Sequence, residues 1–369
     1  MSESCTNPGS YRIRIAPTAD GGDRIPDLSP REVREYWLDK LRVSMAESTV
    51  SAYHYRLKHF IEWCEAEGLD SIRDITGWDL KSYEAYRRAE GLEVVTLNNE
   101  LGTLENFFEY CARSDLVDES LPEKVEPPTV PPEADVDETK LDEEDAKRLF
   151  TYYQNDPRER HSRAHALLTL TWFGGPPRNG AIRGLDLRDY HSDEQYLEYH
   201  HRPSEETPLK NNYKGERAVA LPAEACAVLD AYIEENRVEI RDDYGRRPLF
   251  TGQRGRPSLG GIRGWMYLAT VPCLHSDCPH GNDRETCEFL TYSTASKCPS
   301  SRSPHQVRTG AITWMRNQEI PADVVAERAD TSVSMIEKHY DKPEYVEEME
   351  KRRRPYLDRL DFDEGGEDQ

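Results

Sequence analysis

Apolar positions in the first third of the chain recur at helical spacing. Ser29-Pro30 followed by Glu32 reads as an N-cap, a proline at the first helical position and acid in the first turn, with Trp37, Leu38 and Leu41 after it. A second pattern opens at Glu47-Ser48-Thr49, carries Val50, Tyr53, Tyr55, Leu57, Phe60, Ile61 and Cys64, and stops at Gly68. A third begins near Thr76-Gly77, includes Leu80, Tyr83 and Tyr86, and ends at Gly91. The fourth starts near Val95-Thr96 and presents Leu97, Leu101, Leu104, Phe107, Phe108 and Cys111. Short amphipathic helices with tight loops predict a small all-α domain over residues 28–120, after a polar tail over 1–27.

Residues 121–132 hold Pro122, Pro127, Pro128, Pro131 and Pro132 among acidic neighbours, a composition that supports neither helix nor central strand. An extended linker is expected over 121–140, and a second domain over 141–360. That domain opens with helical patterns at 141–154 and 164–173, and the turn Gly174-Gly175-Pro176-Pro177 then delivers Arg178. Segments 185–190, 196–200 and 217–221 read as three short strands, the last two joined by a polar hairpin loop containing Lys210, Asn211, Asn212 and Lys214. Helical patterns resume at 222–238 and 261–268. After a cysteine-rich insert (272–299) they continue at 303–318, 322–329 and 333–339, with a charged helix from 343 to about 360 and an acidic tail over 361–369. The fold class expected is mostly α with a small β-sheet: an all-α N-terminal domain and an α+β second domain, with no Rossmann or P-loop glycine pattern.

Composition complicates the choice of partner. Across 369 residues the chain is 36% hydrophobic and 32% charged, with a net charge of -22. No apolar run suffices to cross a bilayer, and residues 1–10 lack the basic-then-apolar order of a signal peptide, so a cytoplasmic protein without membrane partners is expected. Charge alone favours an acidic protein with no DNA role. Two details soften this. Arg outnumbers Lys about three to one, and acid is spread throughout. Both are habits of proteins in a very salty, halophilic cytoplasm, where the Debye length falls to roughly 3 Å at 1 M salt. Counterion release then adds little to DNA affinity, and only the contact face need be basic.

One ordered constellation carries chemistry. Leu170-Thr171-Trp172-Phe173-Gly174-Gly175-Pro176-Pro177-Arg178 leads into Ile182-Arg183-Gly184-Leu185-Asp186. A hairpin lysine, His305-x-x-Arg308 and Met335-Ile336-Glu337-Lys338-His339-Tyr340 follow. This order resembles the tyrosine recombinases, which include phage integrases and Xer-type enzymes. Thr49-Val50-x-x-Tyr53 and Thr96-Leu97-Asn98-x-x-Leu101 resemble that family's core-binding, SAM-like domain, so the likeness runs from about residue 28 to 345.

The resemblance implies an enzyme of DNA recombination or integration that breaks and rejoins double-stranded DNA through a 3′-phosphotyrosine at Tyr340. It also implies action as a homotetramer on paired DNA sites, with no cofactor for catalysis. Arg178 and Arg308 would each set a planar fork of donors on the phosphate oxygens, which Lys cannot copy. His305 would act as base or donor, and Lys210 as the acid for the leaving 5′-hydroxyl, with Lys214 as the alternative. Two departures stand out. The family's acid three positions after the first arginine is Ala181 here. Its His or Trp nine positions before the nucleophile is Thr331, or Asp330 if the gap is one longer. Thr331 could still donate to phosphate. A DNA-binding relative with weakened catalysis, serving as regulator or accessory factor, is the other reading these departures leave, and a type IB topoisomerase is a third.

Cys273-x₄-Cys278-x₈-Cys287-x₁₀-Cys298 forms the one cysteine cluster, with His275 and His280 among the thiols. Clustered thiols in a reducing compartment suit a structural Zn²⁺, here pinning a polar loop ahead of His305. The spacing lacks paired C-x-x-C knuckles, so incidental buried thiols and redox sensing stay open, as does a histidine in the ligand set.

Overall fold

A computed structural model describes residues 27–131, 139–341, 343 and 345–360. Most of the expected N-terminal tail, positions 132–138 of the expected linker, Cys5 and the expected acidic tail lie outside the described residues. The chain divides into two compact units, Met1–Asp135 and Val136–Gln369.

The first unit is helical. α1 (Pro30–Arg42) begins at a capping box in which Ser29 and Glu32 satisfy each other's backbone N–H groups. α2 (Glu47–Glu67) ends where Gly68 turns left-handed at φ 75°. α3 (Gly77–Ala89) has a second capping box, between Thr76 and Asp79, and α4 (Val94–Arg113) supplies Leu97, Leu101, Leu104, Phe107 and Phe108 to one shared core. The start of the expected linker belongs to this unit. Leu121, Pro122 and Val125 are buried around a single 3-10 turn, and Asn98 Nδ2 donates to the Pro128 carbonyl at 2.8 Å.

In the second unit α5 (Glu143–Asn155) precedes α6 (Arg163–Phe173), which is buried from His165 to Trp172 and is packed by the other helices. α7 (Asn179–Gly184) follows the Gly-Pro turn. β1 (Tyr190–His191), β2 (Tyr196–Tyr199) and β3 (Arg217–Ala220) form an antiparallel sheet in that order, with Leu197 opposite Val219 and Tyr199 opposite Arg217. α8 (Ala223–Ala231) and α9 (Leu259–Ala269) pack on α6. The site-bearing helices are α10 (Pro304–Asn317), α11 (Ala322–Ala329) and the short α12 (Val333–Met335). The final charged segment is a helical turn over Tyr345–Glu348 continued by wider and tighter turns.

The expected strand over 185–190 is mostly absent. Its acids prefer to cap: Asp186 and Asp189 close a 3-10 turn reciprocally, and only Tyr190–His191 pairs. Both carboxylates are buried in an ion network. Arg202 holds Asp189 with two bonds, at 2.6 and 2.8 Å; Arg246 Nε meets Asp186 at 2.8 Å; and Arg256 bridges Asp186 and Asp242. Arg246 also donates to Thr207 Oγ1 and the Gly184 carbonyl, both at 2.9 Å, and so fixes the loop leading to Lys210 against the end of α7.

α10 is pressed on the chain just before α5. A Cβ on Gly310 would lie 2.0 Å from the Leu141 carbonyl oxygen, so only glycine fits. Removing one acid of the network leaves buried guanidinium charge uncompensated. Asp186→Ala is therefore expected to destabilise the second unit by about 3–5 kcal/mol. Urea unfolding followed by a fluorescence probe in that unit checks this, and a loss under about 1 kcal/mol would mean that water already screens the network.

Candidate active site

Three elements converge on the turn after α6. Gly175 takes φ 75°, and a Cβ there would meet the Arg328 carbonyl oxygen at 2.5 Å. Tyr199 Oη donates to the Gly174 carbonyl at 2.7 Å, and Arg328 Nη2 donates to the Phe173 carbonyl at 3.0 Å. The Pro176 carbonyl accepts from Arg308 Nη1. The turn is thus clamped by β2, the end of α11 and α10, and it presents Arg178 as the N-cap residue of α7. Arg178 Nη1 donates to the Asp330 carbonyl at 2.6 Å and to Asp330 Oδ2 at 2.9 Å.

On α10, Ser303 and Gln306 form a capping box, and His305 and Arg308 sit three residues apart on one face. Arg308 is only 1% exposed. Its Nη1 is engaged by Pro176, but Nε and Nη2, also buried, make no hydrogen bond of good geometry among the described residues, the Tyr340 phenol being near enough only for a weaker polar interaction. The guanidinium carbon lies 4.9 Å from the centre of the Tyr340 ring, and the His305 ring lies 5.4 Å from it. Tyr340 is 5% exposed and closes a wide turn, Ile336–Tyr340, after α12; Thr313 Oγ1 holds its carbonyl at 2.8 Å. Ile336 packs with Ile312, Met315 and Val325 beneath it.

The electrostatics are unusual for so acidic a chain. Burial pushes the Arg308 pKa down to about 10. The Tyr340 phenol opposes that shift, and the neighbouring Arg178 and Arg217 guanidinium groups add to it. Arg217 is likewise lowered, chiefly by burial, with Tyr199 and Asp330 opposing and Arg178 and Arg328 adding. Arg178, Arg217, Arg308 and Arg328 therefore form a cationic cluster, and the Asp330 carboxylate lies against it, bonded to Arg178 and within electrostatic reach of Arg217.

The structure brings Arg178, His305, Arg308 and Tyr340 together, while Lys210 and Lys214 lie exposed on the loop before β3. Thr331 is half-buried just beyond α11, its N–H donating to the Ala326 carbonyl at 3.0 Å. Two site members escaped the sequence reading. Arg217 stacks on Tyr199 at 4.2 Å, donates from Nε to the Arg328 carbonyl at 2.8 Å, and keeps a buried, unpartnered Nη2. Its one sequence signal was its place at the head of an alternating strand. Asn211 Nδ2 donates to Asp330 Oδ1 at 2.8 Å, for which spacing gave no sign.

All four clustered cysteines lie among the described residues, where no group of three or more His, Cys, Asp or Glu is gathered so as to hold a metal ion. Cys273 and Cys298 are buried, whereas Cys278 and Cys287 sit half-exposed on loops without paired knuckles. The Cys273 thiol is pushed up, first by burial and then by Cys278 and Cys287, so these three are within electrostatic reach of one another. Among the described residues no helix is long and apolar enough to cross a membrane.

The family described as Phage integrase, N-terminal SAM-like domain matches residues 34–115. A tyrosine recombinase XerC of Leptospira interrogans is 26% identical over 232 residues, covering 62% of this chain and 68% of the relative. A XerC of Bacillus pumilus is 24% identical over 233 residues, 60% of this chain and 68% of its own length. Among solved structures, the Tn1549 transposon integrase in complex with a circular-intermediate DNA aligns at TM-score 0.58 with 16% identity, over 90% of this chain and 100% of that one. A lambda integrase dimer bound to a COC′ core site aligns at TM-score 0.57 with 12% identity, over 85% of this chain and 95% of that one. At such identities these two likenesses speak for the fold.

Unsatisfied buried donors on a charged group cost upwards of about 1–3 kcal/mol, so Arg308 is held against stability. Arg308→Met fills similar space without charge, and we expect it to raise the Tm of the second unit by roughly 2–4 °C. A scanning-calorimetry trace with a lowered Tm would show that the protein itself satisfies the guanidinium.

Proposed function

We propose that the chain is a site-specific recombinase of the tyrosine recombinase family, and that it binds double-stranded DNA and cleaves and rejoins it through a 3′-phosphotyrosine at Tyr340. One observation carries the chemical assignment: a buried guanidinium, two of whose nitrogens make no hydrogen bond of good geometry among the described residues, stands against a buried phenol ring. A phosphodiester supplies what that arrangement lacks, an anion with several acceptor oxygens and a phosphorus atom for the phenol to attack.

In this reading the Tyr340 oxygen bonds to phosphorus and the bond to the 5′-oxygen breaks. The phenolic proton passes to His305 or to solvent, and Lys210 gives a proton to the leaving oxygen, with Lys214 as the alternative. Arg178 and Arg308 neutralise the charge that grows on the non-bridging oxygens, in a site already desolvated around Arg308. Thr331 is placed in the reading as a hydroxyl donor to the same phosphate. The phosphotyrosyl bond conserves the energy of the broken one, and attack by a 5′-hydroxyl reverses each step without an external energy source.

Assembly as a homotetramer on paired sites belongs to the same proposal. The C-terminal segment lies on its own unit through polar contacts: Arg352 grips Asp341 at 2.6 and 2.9 Å, and Lys351 pairs with Glu143. Tyr345, Val346 and Leu357 of that segment remain exposed, apolar surface suited to a neighbouring protomer.

A nicked suicide substrate carrying the recombination site tests the chemistry. The wild-type protein is expected to give a covalent adduct resistant to denaturation, which Tyr340→Phe abolishes. Arg178→Ala and Arg308→Ala should each slow adduct formation by about 10²–10³ while DNA retardation in gels stays intact. Adduct formation that survives Tyr340→Phe would remove the assignment.

A further inference from the structure

Asp330 is an acid set against the arginine cluster, and its contacts run both to Arg178 and to the loop before β3. Oδ2 meets Arg178 Nη1 at 2.9 Å, and Oδ1 accepts from Asn211 Nδ2 at 2.8 Å. Asn211 lies between Lys210 and Lys214 on the loop before β3. The Asp330 carbonyl accepts from the same Arg178 nitrogen at 2.6 Å. Gly215, at the far end of the loop, approaches so closely that a Cβ there would sit 3.1 Å from Oδ2.

Backbone geometry singles out the same residue. Asp330 ends α11 in the left-handed region at φ 52°, where a residue other than glycine is strained by an order of 1 kcal/mol. A side chain kept at such a position is repaid by its contacts, and this one is only 12% exposed. Ala181, one helical turn beyond Arg178 in α7, brings no carboxylate to orient that arginine.

We propose that Asp330 is a positioning residue for the cleavage site, its single carboxylate fixing the Arg178 guanidinium and tethering the lysine-bearing loop to the same point. Asp330 engages only Nη1, so Nε and Nη2 of Arg178, a side chain still 29% exposed, are left for a phosphate. The carboxylate also offsets part of the repulsion between Arg178 and Arg217 before DNA arrives. The effect on cleavage rests on the recombinase reading above; the tether itself does not.

Asp330→Gly suits the left-handed backbone and is expected to fold. At saturating suicide substrate it should form adduct about 10–100-fold more slowly than the wild-type protein, with DNA affinity changed less than about threefold. Asp330→Asn, which keeps one acceptor oxygen, should recover part of that loss. Hydrogen–deuterium exchange over 209–216 should rise in Asp330→Gly and in Asn211→Ala, while α6 and α10 stay protected. Cleavage by Asp330→Gly at or above the wild-type rate would overturn the proposal, because the carboxylate would then be competing with the phosphate for Arg178. Unchanged exchange in the loop would overturn it as well. If the wild-type protein forms no adduct, the Tyr340 assignment fails and the exchange measurement decides the tether alone.

Discussion

Burying the guanidinium of Arg308 with two of its nitrogens unmet among the described residues is the constraint around which the second unit is arranged. Placing such a charge in a desolvated spot costs several kcal/mol, and the fold has to hold it there against its tendency to reach water. The hold comes from several directions. Pro176 offers a carbonyl, the Tyr340 ring covers the guanidinium, and the capping box at Ser303 fixes the helix from which it projects. The turn that supplies the Pro176 carbonyl also delivers Arg178, so orienting one arginine orients the other. In the proposed reading, what the fold gives up in stability is recovered when an anion with the right oxygens enters.

Net charge turns out to be a poor guide to such a site. A chain with 70 acidic and 48 basic residues nonetheless concentrates Arg178, Arg217, Arg308 and Arg328 in one cluster. Much of its remaining charge is paired locally, either on helix surfaces, as in Arg88 with Glu84, or in the buried network around Asp186. Surface pairs of this kind contribute little to stability. The bulk composition describes how the molecule meets its solvent, and the site is set by where a few buried cations are gathered.

The helices were legible because each carries its own signals, as at Ser29-Pro30, Thr76 and Ser303, and an apolar stripe long enough to count. The four residues of the ordered constellation could be named because chemistry demands particular side chains in a particular order. What could not be read depends on partners distant in sequence. Residues 185–190 look like a strand until Arg202, Arg246 and Arg256 claim its aspartates. Arg217 looks like a strand's first residue until Tyr199 comes beneath it. Asp330 sits at a helix end where local pattern favours glycine or asparagine, and only its contacts 119 and 152 residues away explain it. The wide turn that carries Tyr340 has no sequence signature distinguishing it from an ordinary helix end.

The tight seat of Gly310 on Leu141 has a mechanical side. Leu141 donates its N–H to the Gln306 carbonyl at 3.1 Å, and Arg302 Nε donates to the Lys140 carbonyl at 2.9 Å, so residues 140–141 are fastened along the helix that carries His305 and Arg308. A pull on the chain ahead of α5 cannot be absorbed there by slack. It must either break these bonds or shift the helix as a lever, and with it the arginine nearest the phenol.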